Sequence, residues 1–98
     1  MTRYQLTRRA DRDLESIWRH VARDNGVQVA DRIEQELHDA MLLLATHPKA
    51  GHERGDVSNP RYRFWSVYSF VIAYHVDSTP LTISRVLHGG RDFKKLFD

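Results

Sequence analysis

The chain contains no cysteine. That absence excludes a disulfide framework, a thiolate zinc site and a thiol nucleophile together, and it fits a reducing compartment. Long apolar runs are also missing. The longest, around Met41–Ala45 and Phe70–Tyr74, are a fraction of the roughly 20 residues that span a bilayer, so no membrane-spanning helix is expected. The opening Met1-Thr2-Arg3-Tyr4-Gln5-Leu6-Thr7 turns charged without the apolar stretch and small-residue cleavage site of a secretory signal, so a cytoplasmic protein with no membrane contact is expected. Metal and nucleotide signatures are lacking too. His38, His47 and His52 complete no His-Glu-x-x-His pattern, and no Gly-Lys-Ser/Thr follows Gly89-Gly90. Neither a metal site nor a phosphate loop is expected, and no cofactor.

What is present reads as a single domain over residues 1–98. With 98 residues, 41% of them hydrophobic, a domain buries about 60–65% of its extended-chain surface, so any binding site competes with the core and is shallow. Net charge is only +2, but it is unevenly spread. Residues 1–47 carry 7 basic and 8 acidic side chains, and residues 48–98 carry 8 and 5. Arginine outnumbers lysine 12 to 3, and its planar fork suits carboxylate or phosphate better than a mobile ammonium does. An acidic partner for the C-terminal half follows. The alternating signs of the N-terminal half suit a solvated helical surface.

Periodicity places the elements. Arg3–Leu6 is a short extended segment, and Thr7 is a helix N-cap, with Asp11 and Asp13 in the opening turns. Ala10, Leu14, Ile17, Trp18 and Val21 form one helical stripe, which Asn25-Gly26 stops. A second stripe, Ala30, Ile33, Leu37, Ala40, Met41 and Leu44, closes at His47-Pro48. So short a connection predicts an antiparallel helix hairpin. Residues 48–60, with two prolines and two glycines, predict a loop that is mobile or binds something. Tyr62–Val67, Phe70–Val76 and Leu81–Leu87 are aromatic and β-branched, and predict an antiparallel meander. The central strand is apolar on both faces; the helices cover one, and something else is needed for the other. His88-Gly89-Gly90 ends the last strand, and Phe93–Asp98 is a terminal tail with at most one helical turn. The fold class is α+β.

In this order and spacing the segments resemble the ParE/RelE toxin superfamily of type II toxin-antitoxin modules, closer to the ParE branch. The resemblance is carried by Tyr4-Gln5-Leu6-Thr7, Asp13-Leu14-Glu15-Ser16-Ile17-Trp18, Ala30-Asp31-Arg32-Ile33 and Pro48-Lys49-Ala50-Gly51. It continues with Arg63-Phe64, Val71-Ile72-Ala73-Tyr74-His75-Val76 and Ile83-Ser84-Arg85-Val86-Leu87-His88-Gly89-Gly90-Arg91-Asp92. It implies a toxin neutralised by a cognate ParD-like antitoxin, with DNA gyrase as target in the ParE branch and ribosome-bound mRNA in the RelE branch. It also implies that operator binding belongs to the antitoxin. The net +2 and the lack of a recognition-helix pattern likewise argue against direct DNA binding.

RNA cleavage needs a base, an acid and cations on the phosphate. Where the ribonuclease branch places a tyrosine, this chain has Phe97, which moves no proton. A ribonuclease reading would therefore rest on Arg63 and Arg85 for phosphate and on His88 and Glu53 for proton transfer. Against it stands a strand-end role for His88 and a solvated loop role for Glu53. The leading expectation is a non-enzymatic gyrase inhibitor, with Arg63, Arg85, His88, Arg91, Phe93 and Phe97 as the target-binding set. Arg63 and Arg85 are expected on neighbouring strands and one face, and Phe93, Phe97 and Trp65 as exposed anchors or as core. Trp18, Trp65, Tyr74 and Arg85 are the expected antitoxin contacts, with Trp18 otherwise a core residue. The antitoxin is expected to lay a helix across the hairpin and an extended segment over the uncovered sheet face. A non-toxic, antitoxin-binding remnant is a further alternative.

Overall fold

Both helices form where apolar residues recur every third or fourth position. In the computed structural model, which describes residues 3–98, α1 spans Arg8–Asn25 and α2 spans Val27–Thr46. Thr7 caps α1, its hydroxyl oxygen accepting from Ala10 N at 3.1 Å. Gly26 alone joins the helices at φ 95°, backbone that a side chain rarely tolerates, so one residue turns the chain into the hairpin. The helix α2 begins at Val27, three residues ahead of Ala30 in the stripe, and stops before Pro48. A single 3-10 turn follows at Pro48–Ala50. No helix among the described residues is long and apolar enough to cross a membrane.

The strands β1 (Tyr4–Leu6), β2 (Tyr62–Val67), β3 (Phe70–His75) and β4 (Leu81–His88) form one sheet in the order β1-β4-β3-β2. The meander is antiparallel, with Arg63 opposite Tyr74 and Ala73 opposite Arg85, and β1 lies parallel to the start of β4, Leu6 opposite Ile83. The register shifts beside Ala73/Tyr74, which marks a bulge at Ser84. Because β1 stops at Leu6, the rest of the β4 edge is covered from α1. The Thr7 hydroxyl donates to Ser84 O at 2.7 Å, and the Asp13 carboxylate accepts from Val86 N at 3.0 Å. Such side chains keep an edge from pairing with another chain.

Two cores flank the sheet. On the helix side, Leu14, Leu37, Met41 and Leu44 meet Ile72, Tyr74, Ile83 and Val86. On the other side, Val57, Phe64, Val71, Ala73 and Leu87 meet Phe93 and Phe97 of a short terminal helix, α3 (Phe93–Phe97). This corrects the expectation of a sheet face left for a partner to cover: the chain covers it with its own 51–60 segment and α3. The cover is fastened by Asp98, whose carboxylate accepts from Ser58 N at 2.9 Å, and by the Arg54 guanidinium, 4.0 Å from the Phe93 ring centroid. Asp92 caps α3 by accepting from Lys95 N.

Candidate partner-binding surfaces

Tyr74 shows how burial decides a role. Its side chain is fully buried; its hydroxyl donates to Pro48 O and accepts from Gly51 N at 3.0 Å. Burial raises its pKa above the usual tyrosine value. A Cβ on Gly51 would overlap this hydroxyl, so the glycine permits the close approach. Tyr74 therefore anchors the 48–51 turn and offers no surface to an antitoxin.

Phe93 and Phe97 are corrected likewise. Both are buried in the second core, where Phe64 meets Phe93 at 5.7 Å and Phe97 at 5.5 Å between centroids. In a small domain a large ring stabilises more by burial than by display. Trp65 is half-buried against the helix-side core and stacks on His52 at 6.0 Å. Trp18, placed by its stripe in the core, is only half-buried. Its Nε1–H donates to Asp31 at 2.9 Å, across to α2. It lines an open cleft of about 600 Å³ whose rim carries Asp11, Glu15, Asp31 and Glu34.

The strand arginines Arg85 and Arg63 are engaged within the chain. Arg85 makes a two-pronged pair with Asp13, Nε to Oδ2 at 2.7 Å and Nη2 to Oδ1 at 3.0 Å, the two side chains 18% and 16% exposed. The hydrogen bond to Asp13 raises the pKa of Arg85 further. Arg63 donates to Gly51 O at 3.0 Å, with Glu53 at 4.0 Å and largely exposed. These two arginines do not share a face. The strands β2 and β4 are separated by β3, and Arg63 stands opposite Tyr74 whereas Arg85 stands opposite Ala73, so they lie on opposite sides of the sheet.

The four residues of the ribonuclease alternative are not brought together either. Arg63 pairs at Tyr74 and His88 at Phe70, four residues apart along β3, or roughly 13 Å. His88 is exposed, its ring edge-on to Phe70 at 5.8 Å. It shares with Arg91 a cleft of about 670 Å³ floored by Ile17, Val21 and Phe70. Arg91 is exposed, and its side chain has no partner among the described residues.

Sequence reasoning missed three residues. Tyr68, in the two-residue β2–β3 turn, has φ 55° and is 63% exposed at the rim of that same cleft. Positive φ is costly for a bulky side chain, and strained residues cluster at functional sites. The even spacing of two strands about Tyr68-Ser69 was the available signal. Arg8 and Arg9 line a third cleft, of about 340 Å³, with Arg85, Tyr62 and Phe97. Their signal was a basic pair directly after an N-cap.

Known proteins are similar to this chain in sequence and in architecture. The chain is 30% identical over 89 residues to Toxin ParE3 of Caulobacter vibrioides, spanning 91% of this chain and 88% of that one. It is 34% identical over 88 residues to Toxin ParE1 of the same organism, spanning 90% of each. A structure titled "Chromosomal ParDE TA system from P. aeruginosa" has a chain that superposes with a TM-score of 0.74 at 22% identity, covering 90% of this chain and 96% of that one, which shows the shared fold. The family model described as "ParE toxin of type II toxin-antitoxin system, parDE" matches residues 4–93. By that match and by both relatives, the chain belongs to the ParE toxin family.

Proposed function

We propose that this ParE-family chain arrests growth by binding DNA gyrase in the cytoplasm, without enzymatic chemistry of its own, and that a ParD-type antitoxin neutralises it. One observation carries the non-enzymatic reading: the proton-transfer and phosphate-binding groups of the ribonuclease alternative, Arg63, Arg85, His88 and Glu53, are dispersed. Arg63 and Glu53 lie at one end of the sheet, His88 at the other, and Arg85 on the opposite face and paired to Asp13. General acid-base catalysis needs its groups within hydrogen-bond reach of one reacting centre. Binding has no such requirement, and the exposed His88 and Arg91 with Tyr68 beside them border a surface of mixed apolar and polar character, of the kind that anchors a protein partner. Trp18 and Trp65, half-buried, remain available to the antitoxin.

The test is induction of the chain in bacteria without its antitoxin, following thymidine and methionine incorporation over the first minutes. An early fall in DNA synthesis with a DNA-damage response is expected. An early fall in translation with cleaved mRNA would replace the gyrase reading with the ribonuclease one, and unimpeded growth would leave an antitoxin-binding remnant.

A further inference from the structure

We propose that the cleft between the start of α1 and α3 is a carboxylate-binding site that receives an acidic segment of the protein this toxin grips. The inference rests on the reading of the chain as a toxin that works by protein contact.

Charge singles this cleft out. It holds about 340 Å³ and is lined by Arg8, Arg9, Arg85, Tyr62, Ser84 and Phe97 among others, with no carboxylate. Of the three larger clefts, two carry carboxylates on their walls, and the third, of about 420 Å³, is lined by a single arginine, Arg3. Arg85 already holds Asp13, so it is fixed in place at the cleft wall. Arg8 and Arg9 are exposed, and neither side chain has an ion-pair or hydrogen-bond partner among the described residues. The charge of Arg85 is met by Asp13, so the local positive potential comes from the two unpaired guanidiniums, and each of these two presents a fork that matches a carboxylate with two parallel hydrogen bonds. Arg12, one turn beyond Arg8, extends the strip along α1.

The walls favour a peptide over a nucleic acid. Leu96 and Phe97 supply an apolar side, which suits the methylenes and neighbouring apolar residues of an acidic segment. A nucleic-acid strand would look for an aromatic face on which to stack a base. Both rings of this cleft are engaged within the chain, Tyr62 in edge contacts with His75 at 5.0 Å and Phe97 at 4.9 Å, and Phe97 is buried, so neither is a free stacking platform. A net charge of +2 is likewise small for grip on a phosphate backbone.

Arg8→Glu/Arg9→Glu is the variant of choice, because acidic residues in the first turn of a helix favour it and the fold should survive; far-ultraviolet circular dichroism checks this. Fluorescence anisotropy of a fluorescein-labelled peptide of alternating glutamate and leucine, titrated with the full chain at low salt, should show binding that salt weakens. The double variant should lose about tenfold or more in affinity, and Arg8→Lys/Arg9→Lys should keep part of it. Failure of the wild-type chain to bind, or equal binding by the double variant, would overturn the proposal. Tighter, arginine-dependent binding of a single-stranded oligodeoxynucleotide or of inorganic phosphate would also overturn it. Gyrase supercoiling assays separate the two readings: arginine-dependent peptide binding with gyrase untouched leaves the cleft standing and removes the gyrase target. Gyrase inhibition that persists in the double variant, with peptide binding unchanged, removes the cleft alone.

Discussion

On one side of the sheet the core is mostly aliphatic and continuous, built from Leu14, Leu37, Met41 and Leu44 on two long helices. On the other it is a small aromatic cluster, closed by a five-residue helix and a loop. The first side draws on residues that repeat along helices, so losing one contact leaves many. The second depends on a few large rings and on fastenings at its margin: Asp98 to Ser58, Arg54 over Phe93, and Tyr62 against His75. Stability in such a molecule is unevenly distributed, and the terminal helix is where opening should begin. The basic cleft lies on the aromatic side, partly on that terminal helix, whereas the His88–Arg91 cleft lies against α1.

The comparison can be broken most sharply at Phe93. Its truncation to alanine removes the largest fully buried ring of the aromatic side and should cost about 3–5 kcal/mol by thermal or denaturant unfolding. Leu37→Ala on the helix side should cost about 2–5 kcal/mol. Hydrogen exchange then separates the two sides: α3 amides should exchange by local opening in the wild type, well before those of α1 and β3. Uniform protection would show that the two sides open together.

Asp13→Ala comes next. It unpairs Arg85 and leaves Val86 N–H on the β4 edge without its acceptor, for a loss of about 1.5–3 kcal/mol. Tyr74→Phe keeps the ring but strands Gly51 N–H and Pro48 C=O, and should cost about 1–3 kcal/mol. Both act on anchors of the helix side. If either proves neutral, that side is held by apolar packing alone.

The smallest effect is one of pH. Burial, then the charge of Arg61, hold the His75 pKa below its ordinary value, against the opposing pull of Asp77. Its Nε2 is buried with no hydrogen-bond partner. A base whose pKa is lower folded than unfolded binds its proton more readily unfolded, so its contribution is present above about pH 6.5 and is lost as pH falls through the folded value. Thermal unfolding between pH 8 and 5 should show this loss, concentrated on the aromatic side, and His75→Gln should flatten it.

The helix-side fold was legible because its information is periodic: the stripes through Leu14 and Leu37, the Thr7 cap and the Gly26 stop are local signals with direct mechanisms. The aromatic side was not, because Val57, Phe64, Phe93 and Phe97 share no period and meet only through the fold. An unperiodic phenylalanine near a terminus looks the same on a surface as in a core. The site suffered for the same reason. Arg85 lies 72 residues from Asp13, so no spacing announces that its charge is engaged, and Trp18 sits at the margin of its stripe, where one helical step separates core from rim. Resemblance supplied the family; only the three-dimensional arrangement could show which of the expected residues face outward.

The most direct test of the proposed activity is a supercoiling and cleavage assay with purified gyrase and the purified chain, run with and without the antitoxin, beside an mRNA-integrity assay on translating ribosomes. Inhibition of gyrase that the antitoxin reverses, with mRNA intact, is the expected result. Intact gyrase activity with cleaved mRNA would contradict it.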